Sequence, residues 1–132
     1  MKTEFFISII PPTPTAQEKG VTVRNGKPHF YEKPEIAAIR ESFRAHLSKF
    51  VPEQPYSGAV QLVTKWCFPI SGKHKDGEYK TSRPDTDGSV KLFKDAMTDV
   101  GYWKDDAQVA SEVTEKFWAM TPGIYVCVEE LT

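Results

Sequence analysis

The alternating run at residues 59–68 places the strongest constraint on the fold of this chain. Its larger apolar side chains fall on one side of an extended backbone: Val60, Leu62, Trp66 and Phe68. Gln61 and Lys65 fall on the other side, and Pro69 ends the run. This period of two predicts a strand with one buried face, and such a face must pack against another layer of structure.

Two segments with helical periodicity can supply that layer. The first begins after Pro34, and its apolar residues recur at steps of three and four: Ile36, Ile39, Phe43, Leu47 and Phe50. The second runs from about Gly88 to Val100, and its stripe consists of Val90, Phe93, Met97 and Val100. Both segments predict amphipathic helices, and Gly101 is placed to end the second one.

The rest of the chain predicts further strands at residues 2–10, 107–118 and 124–131, and a hairpin that turns at residues 25–26. Residues 71–84 are polar and Lys-rich, which predicts a long loop. A length of 132 residues fits one domain with a real core. We therefore expect an α+β fold, or mixed α/β layer, in which two main helices pack on a mixed sheet in a single domain spanning residues 1–132.

Composition excludes several classes of protein. The chain has 17 Lys and Arg residues against 18 Asp and Glu, so a uniformly basic, histone-like binder is excluded, although a local basic patch is not. Two cysteines, Cys67 and Cys127, are too few for a disulfide framework or a structural zinc site, and we expect both to be buried and reduced. No apolar stretch approaches the ~20 residues of a membrane span, and we expect a cytosolic protein.

Acidic residues cluster in two short stretches. Asp85 and Asp87 stand two residues apart where the second helix is predicted to begin, so both carboxylates can converge on one ion. Asp105 and Asp106 follow the same helix, and one of them can complete a set of oxygen ligands suited to magnesium. Lys91 lies one helical turn after Asp87, within reach of a carboxylate or a phosphate bound at the metal.

Each of these residues also has an ordinary structural interpretation. Asp85 suits a turn, and Asp87 or Ser89 suits the N-cap of a helix. The pair at 105–106 suits a surface turn, and Lys91 suits a solvated helix face.

A family resemblance favours the chemical interpretation. The chain reads RPDTDGSVK at residues 83–91, DAM at 95–97 and GYWKDDAQV at 101–109. This two-part pattern closely resembles the signature of the RusA family, the Holliday-junction resolvases of bacteria, their phages and prophages. Outside residues 83–109 the resemblance is weaker and consists mainly of a similar order of elements.

The resemblance implies a homodimer that binds four-way DNA junctions and cuts two opposed strands symmetrically with magnesium, for which manganese is a possible substitute. Carried over by position, the metal-binding aspartates of the family fall on Asp85, Asp87 and Asp106, and its essential lysine falls on Lys91. One position departs from the pattern, because the family usually has Asn where this chain has Gly88.

Basic residues near these stretches are candidate contacts for DNA phosphates, which give affinity without sequence information. They are Lys19, Arg24, Lys27 and Lys33 around the hairpin, and Lys73, Lys75, Lys80 and Arg83 in the segment leading into the acidic site. A solvated polar loop accounts for the same charges. Phe30, Tyr31 and Tyr79 suit either stacking on unpaired bases or ordinary packing.

The sequence is best explained by a magnesium-dependent, structure-selective endodeoxyribonuclease that acts as a homodimer on branched DNA in recombination and repair. We expect it in the cytoplasm of a bacterial host, and a phage or prophage origin is consistent with the family. The alternatives are a non-cleaving DNA-binding relative with a degenerate site, which Gly88 alone supports, and a carboxylate–metal enzyme acting on a small phosphate ester.

Overall fold

The computed structural model describes residues 1–14 and 19–132. The strands within these ranges are β1 (Lys2–Ile7), β2 (Lys19–Arg24), β3 (Lys27–Glu32), β4 (Val60–Pro69), β5 (Val109–Ala119) and β6 (Gly123–Glu130). The α-helices are α1 (Pro34–Leu47) and α2 (Thr86–Val100), and one turn of 3-10 helix, Asp106–Gln108, precedes β5.

Four strands form one mixed sheet in the order β1-β6-β4-β5. Strand β6 is antiparallel to both of its neighbours, whereas β4 and β5 run parallel to each other. Strands β2 and β3 form a separate antiparallel hairpin that turns at Asn25-Gly26. The predicted α+β architecture with two helices and a mixed sheet is confirmed.

The core lies between the sheet and the two helices. Along β4, alternate residues are buried, as the period of two predicts, and Thr64 is buried with its apolar neighbours. Trp66 of β4, Phe43 of α1 and Phe93 of α2 meet edge to face, with ring centroids 5.0–6.0 Å apart. This aromatic cluster ties both helices to the central strand, and so fixes the position from which α2 presents its first turn.

Several predicted boundaries were wrong by a few residues. Helix α1 ends at Leu47, and Phe50 beyond it stacks on Phe5 of β1 with ring centroids 4.5 Å apart. Helix α2 begins at Thr86, two residues earlier than predicted, because Asp85 already occupies the N-cap position. The strand predicted from residue 107 begins at Val109, since the 3-10 turn takes up the residues before it.

The segment predicted as a long loop at residues 71–84 is partly attached to the edge of the sheet. The amide of Gly77 donates to the carbonyl of Trp118, and the amide of Trp118 donates to the carbonyl of Glu78, both at 2.8 Å. The amide of Lys80 donates to the carbonyl of Lys116 at 3.0 Å. Residues 77–80 therefore run along β5 and deliver the chain to the start of α2.

The two cysteines are free thiols, as predicted, although only Cys127 is fully buried and Cys67 is half-buried. Burial raises the pKa of the Cys67 thiol, with a smaller contribution from the charge of Asp76. Within the described residues, no helix is both long and apolar enough to span a membrane.

Candidate active site at the start of helix α2

Asp85 and Asp87 lie at the N-terminus of α2, and neither is enclosed by the core. Asp85 holds the N-cap position with an extended backbone (φ −73°, ψ 144°), and Asp87 belongs to the first turn. The N-terminus of a helix favours negative charge nearby. The interpretation of Asp87 or Ser89 as the N-cap was wrong, since both residues lie inside the helix. Asp85 itself caps no helix amide with its side chain in the described part of the chain.

Lys91 and Asp106 are brought into contact by the packing of α2 against the 3-10 turn. The Nζ atom of Lys91 lies 3.5 Å from an oxygen of Asp106 and 2.9 Å from an oxygen of Asp95, one helical turn further along α2. The hydrogen bond to Asp95 is the main reason that the pKa of Lys91 is raised, although partial burial opposes it. Lys91 is therefore a charged group held between two carboxylates, on the same side of α2 as Asp87.

Asp105 and Asp106 have different surroundings although they are adjacent. Asp105 is the N-cap of the 3-10 turn, where its Oδ1 accepts a hydrogen bond of 2.9 Å from the amide of Ala107. Gln108 completes this capping box and also donates to the carbonyl of Tyr56 at 2.8 Å, which attaches the turn to the segment before β4. Asp105 is thus occupied in stabilising the turn, and Asp106 faces Lys91.

Arg40 of α1 extends this cluster, and its role could not be foreseen from the sequence. Its Nη1 lies 3.1 Å from Asp95, and its Nε donates to Glu32 at the end of β3. Burial alone would raise the pKa of the Asp95 carboxyl, but hydrogen bonds from Lys91 and Arg40 outweigh it, and the pKa is lowered. The ionic chain Glu32–Arg40–Asp95–Lys91–Asp106 therefore connects the hairpin to the acidic site. Arg40, Asp95 and Asp106 line an open cleft beside the 3-10 turn.

The donor chemistry of the three aspartates suits a divalent ion, but they are not gathered around a common point in this structure. Hard carboxylate oxygens are the ligands that magnesium prefers, and Asp85, Asp87 and Asp106 supply them from a helix start and a capped turn. Among residues 1–14 and 19–132, no group of three or more His, Cys, Asp or Glu side chains lies close enough together to hold a metal ion. The residues fit the ion by chemistry, and their binding distances would have to be reached by side-chain movement.

Most of the predicted DNA contacts are exposed. Lys19, Arg24 and Lys27 lie on the β2–β3 hairpin, and Lys73, Lys75 and Arg83 lie in the segment before Asp85. The hairpin also exposes Phe30 and Tyr31, which are 71% and 47% exposed. Tyr79 stacks on Phe117 of β5 with ring centroids 4.9 Å apart, so this ring packs on the sheet edge.

Lys80 does not fit the predicted set of DNA contacts, because its side chain is buried. Only 9% of it is exposed, and its ammonium donates to the hydroxyl of Ser82 at 2.6 Å and to the carbonyl of Arg83. The same Nζ lies over the rings of Trp118 and Phe68, 4.6 and 5.1 Å from their centroids. Its charge is directed inward and is not available to a phosphate on the surface.

Comparison with known proteins identifies the family. The sequence model of the family described as Endodeoxyribonuclease RusA matches residues 10–129. A crossover junction endodeoxyribonuclease of Lactococcus phage r1t is 32% identical over 111 residues, which cover 83% of each chain. The uncharacterized protein YqaN of Bacillus subtilis strain 168 is 30% identical over 122 residues, which cover 84% of this chain and 85% of that protein. These matches extend far beyond the acidic signature, and the chain belongs to the RusA family of endodeoxyribonucleases.

Proposed function

We propose that this protein is a magnesium-dependent endonuclease that resolves Holliday junctions and related branched DNA during recombination and repair. The observation that carries the proposal is the contact between Lys91 and Asp106, which links the two halves of the family signature one helical turn after Asp87. The name of the phage relative, a crossover junction endodeoxyribonuclease, supports the choice of a junction as substrate.

In this proposal Asp85, Asp87 and Asp106 hold the ion. When bound, a divalent ion acts as a Lewis acid that activates water and stabilises the departing oxygen of a phosphodiester. The three carboxylates are not collected in this structure, so the proposal requires that they draw together when the ion binds. Their positions at a helix N-cap, in its first turn and beside Lys91 support it.

Lys91 is assigned to the phosphate undergoing cleavage. Its ammonium is charged and already held near the acidic site by Asp95 and Asp106. A fixed positive charge at this place stabilises the negative charge that develops on the phosphate oxygens in the transition state.

The DNA path is assigned to two exposed basic groups. One is the hairpin with Lys19, Arg24 and Lys27, and the other is the segment carrying Lys73, Lys75 and Arg83. Such residues bind the phosphate backbone with little regard to sequence, which suits an enzyme that selects its substrate by shape.

We further propose that the active form is a homodimer in the bacterial cytoplasm. The described part of one chain carries one candidate acidic site, whereas symmetrical resolution of a four-way junction requires two cuts. Two sites related by a twofold axis match the twofold arrangement of the junction.

The test is an assay in which the protein and magnesium are incubated with a labelled synthetic four-way junction, a linear duplex and a phosphate monoester. The proposal expects paired nicks in the junction and little action on the other two substrates. Binding without cutting at any magnesium or manganese concentration would favour the non-cleaving alternative. Hydrolysis of the monoester in preference to DNA would refute the proposal.

A further inference from the structure

Two lysines hold three consecutive carbonyl groups immediately before the acidic site. The Nζ of Lys116 on β5 donates to the carbonyls of Ser82 and Pro84 at 2.7 and 2.6 Å. The Nζ of Lys80 donates to the carbonyl of Arg83 between them and to the hydroxyl of Ser82. Two ammonium groups therefore bind the carbonyl oxygens of three consecutive residues, 82–84.

The contacts of these ammonium groups are with backbone carbonyls, one hydroxyl and two aromatic rings. Burial first, and then the charge of Lys116, lower the pKa of Lys80. Placing a desolvated ammonium beside a second one is unfavourable unless their hydrogen bonds are satisfied. The carbonyl of Arg83, the hydroxyl of Ser82 and the faces of Trp118 and Phe68 satisfy Lys80.

The attachment of residues 77–80 to β5 does not require these side chains. Backbone hydrogen bonds already hold Gly77, Glu78 and Lys80 to the strand. The two ammonium groups act further along the chain, on residues 82–84, where no residue belongs to a strand or helix. Without them, the final peptides before α2 would lose the hydrogen bonds that Ser82, Arg83 and Pro84 accept.

The position of Asp85 depends directly on this contact. The carbonyl carbon of Pro84 is bonded to the amide nitrogen of Asp85, so fixing the carbonyl oxygen fixes the peptide plane from which Asp85 extends. Pro84 is also buried, so Asp85 extends from an immobilised support.

We propose that Lys80 and Lys116 are positioning residues that, through the backbone of residues 82–84, fix the peptide plane from which Asp85 and its carboxylate extend. This inference rests on the proposed function, in which Asp85 is a metal ligand. In this proposal the two lysines act on Asp85 through the main chain and bind neither DNA nor the ion. Their loss is therefore expected to weaken metal binding while leaving junction binding unchanged.

The experiment uses the full chain with Lys116→Met, Lys80→Met, the conservative Lys116→Arg and, as a matched control, Lys49→Met, which removes an exposed lysine beyond the end of α1. Thermal unfolding first fixes a temperature at which every variant is folded. At that temperature, Mn²⁺ binding is measured by water-proton relaxation without DNA, junction binding is measured without metal, and cutting is titrated with magnesium.

Loss of an outer partner of a metal ligand typically weakens metal affinity or activity by about 10–100-fold. We expect Lys116→Met to bind Mn²⁺ about tenfold more weakly and to need correspondingly more magnesium, with unchanged junction affinity. Lys80→Met should shift in the same direction, Lys116→Arg should recover most of the loss, and Lys49→Met should match the wild type.

The positioning role and the nuclease function would be overturned by different results. If the wild type cuts junctions and both methionine variants cut with the wild-type magnesium requirement and Mn²⁺ affinity, the positioning role is wrong and the nuclease proposal stands. If the wild type binds Mn²⁺ and cuts no junction, the proposed function fails, and the Mn²⁺ affinities of the variants still decide the positioning role. A wild type that binds no Mn²⁺ overturns both.

Discussion

The ammonium of Lys91 lies 3.5 Å from the carboxylate of Asp106, although the two residues belong to different elements. Lys91 stands in the second turn of α2, and Asp106 opens the 3-10 turn that follows this helix. The reversal between them is made by Gly101, whose φ of +101° is in the left-handed region that glycine adopts readily. The amide of Tyr102 then donates to the carbonyl of Met97, which closes the helix and returns the chain toward the acidic site.

The first prediction concerns Asp87. Replacing it with Asn should abolish cutting, because an amide oxygen is a poorer ligand than a carboxylate for a hard divalent ion. Junction binding should survive, since binding depends on the basic residues. The measurement pairs a gel-shift titration without metal with a cutting assay in magnesium. Full cutting activity in Asp87→Asn would refute the assignment of this residue to the metal.

The second prediction separates the two adjacent aspartates. Asp106→Asn should lose cutting, because Asp106 is the member of the pair that faces Lys91. Asp105→Asn should keep most of it, because an Asn oxygen can still accept the capping hydrogen bond from Ala107. Both proteins are compared at equal concentration on one junction. The reverse order of activities would show that the wrong carboxylate has been assigned to the site.

The sequence predicted those parts of the molecule in which neighbouring residues carry the information. Alternation over residues 59–68 and the two apolar stripes correspond to β4, α1 and α2, because periodicity reflects burial on one face. The signature likewise located Asp85, Asp87, Lys91 and Asp106 as candidates, because its two halves stand at a fixed interval in the chain.

Interactions between distant residues could not be predicted in this way. Arg40 meets Asp95 across 55 positions, and no local pattern distinguishes it from other basic residues of α1. Lys80 resembles the other lysines of its segment, and its contact with the ring of Trp118, 38 positions further along the chain, cannot be recognised from a local pattern. The i+4 spacing of Lys91 and Asp95 is a local signal for the ion pair that the structure shows, although the sequence interpretation related Lys91 only to Asp87.

The third prediction is a dependence of stability on pH. The folded pKa of Asp95 is below its ordinary value of 3.8, so its ionised form stabilises the folded state above that value. Asp95→Asn should therefore unfold more easily than the wild type by roughly 1 kcal/mol near pH 7. This difference should shrink as the pH falls below about 4 and through the folded pKa.

Denaturant unfolding from about pH 7 down to about pH 2.5 measures this difference. The matched control is Asp99→Asn, which alters a more exposed pair with Arg44 and should change stability little at any pH. A constant difference between wild type and Asp95→Asn across the whole range would show that Lys91 and Arg40 do not stabilise the charge of Asp95.

The fourth prediction is dimerisation. Sedimentation equilibrium at micromolar protein should give about twice the 14.9 kDa mass of the chain. The same measurement with a junction should give two chains per DNA, because paired cuts require two acidic sites. Monomer alone, with and without DNA, would count heavily against a symmetrical mechanism.

The last prediction distinguishes Lys91 from the exposed lysines of the segment before Asp85. Lys91→Ala should reduce the cutting rate steeply, because its ammonium is held at the acidic site by Asp95 and Asp106. It should change the salt dependence of junction binding little. Replacing both Lys73 and Lys75 with Ala should do the reverse and flatten the salt slope by about one unit for each DNA phosphate that the protein no longer binds.

Both proteins are titrated with salt on one junction without metal, and magnesium is then added to start cutting. Normal cutting by Lys91→Ala together with normal binding by the double variant would show that both the chemistry and the DNA path have been misplaced.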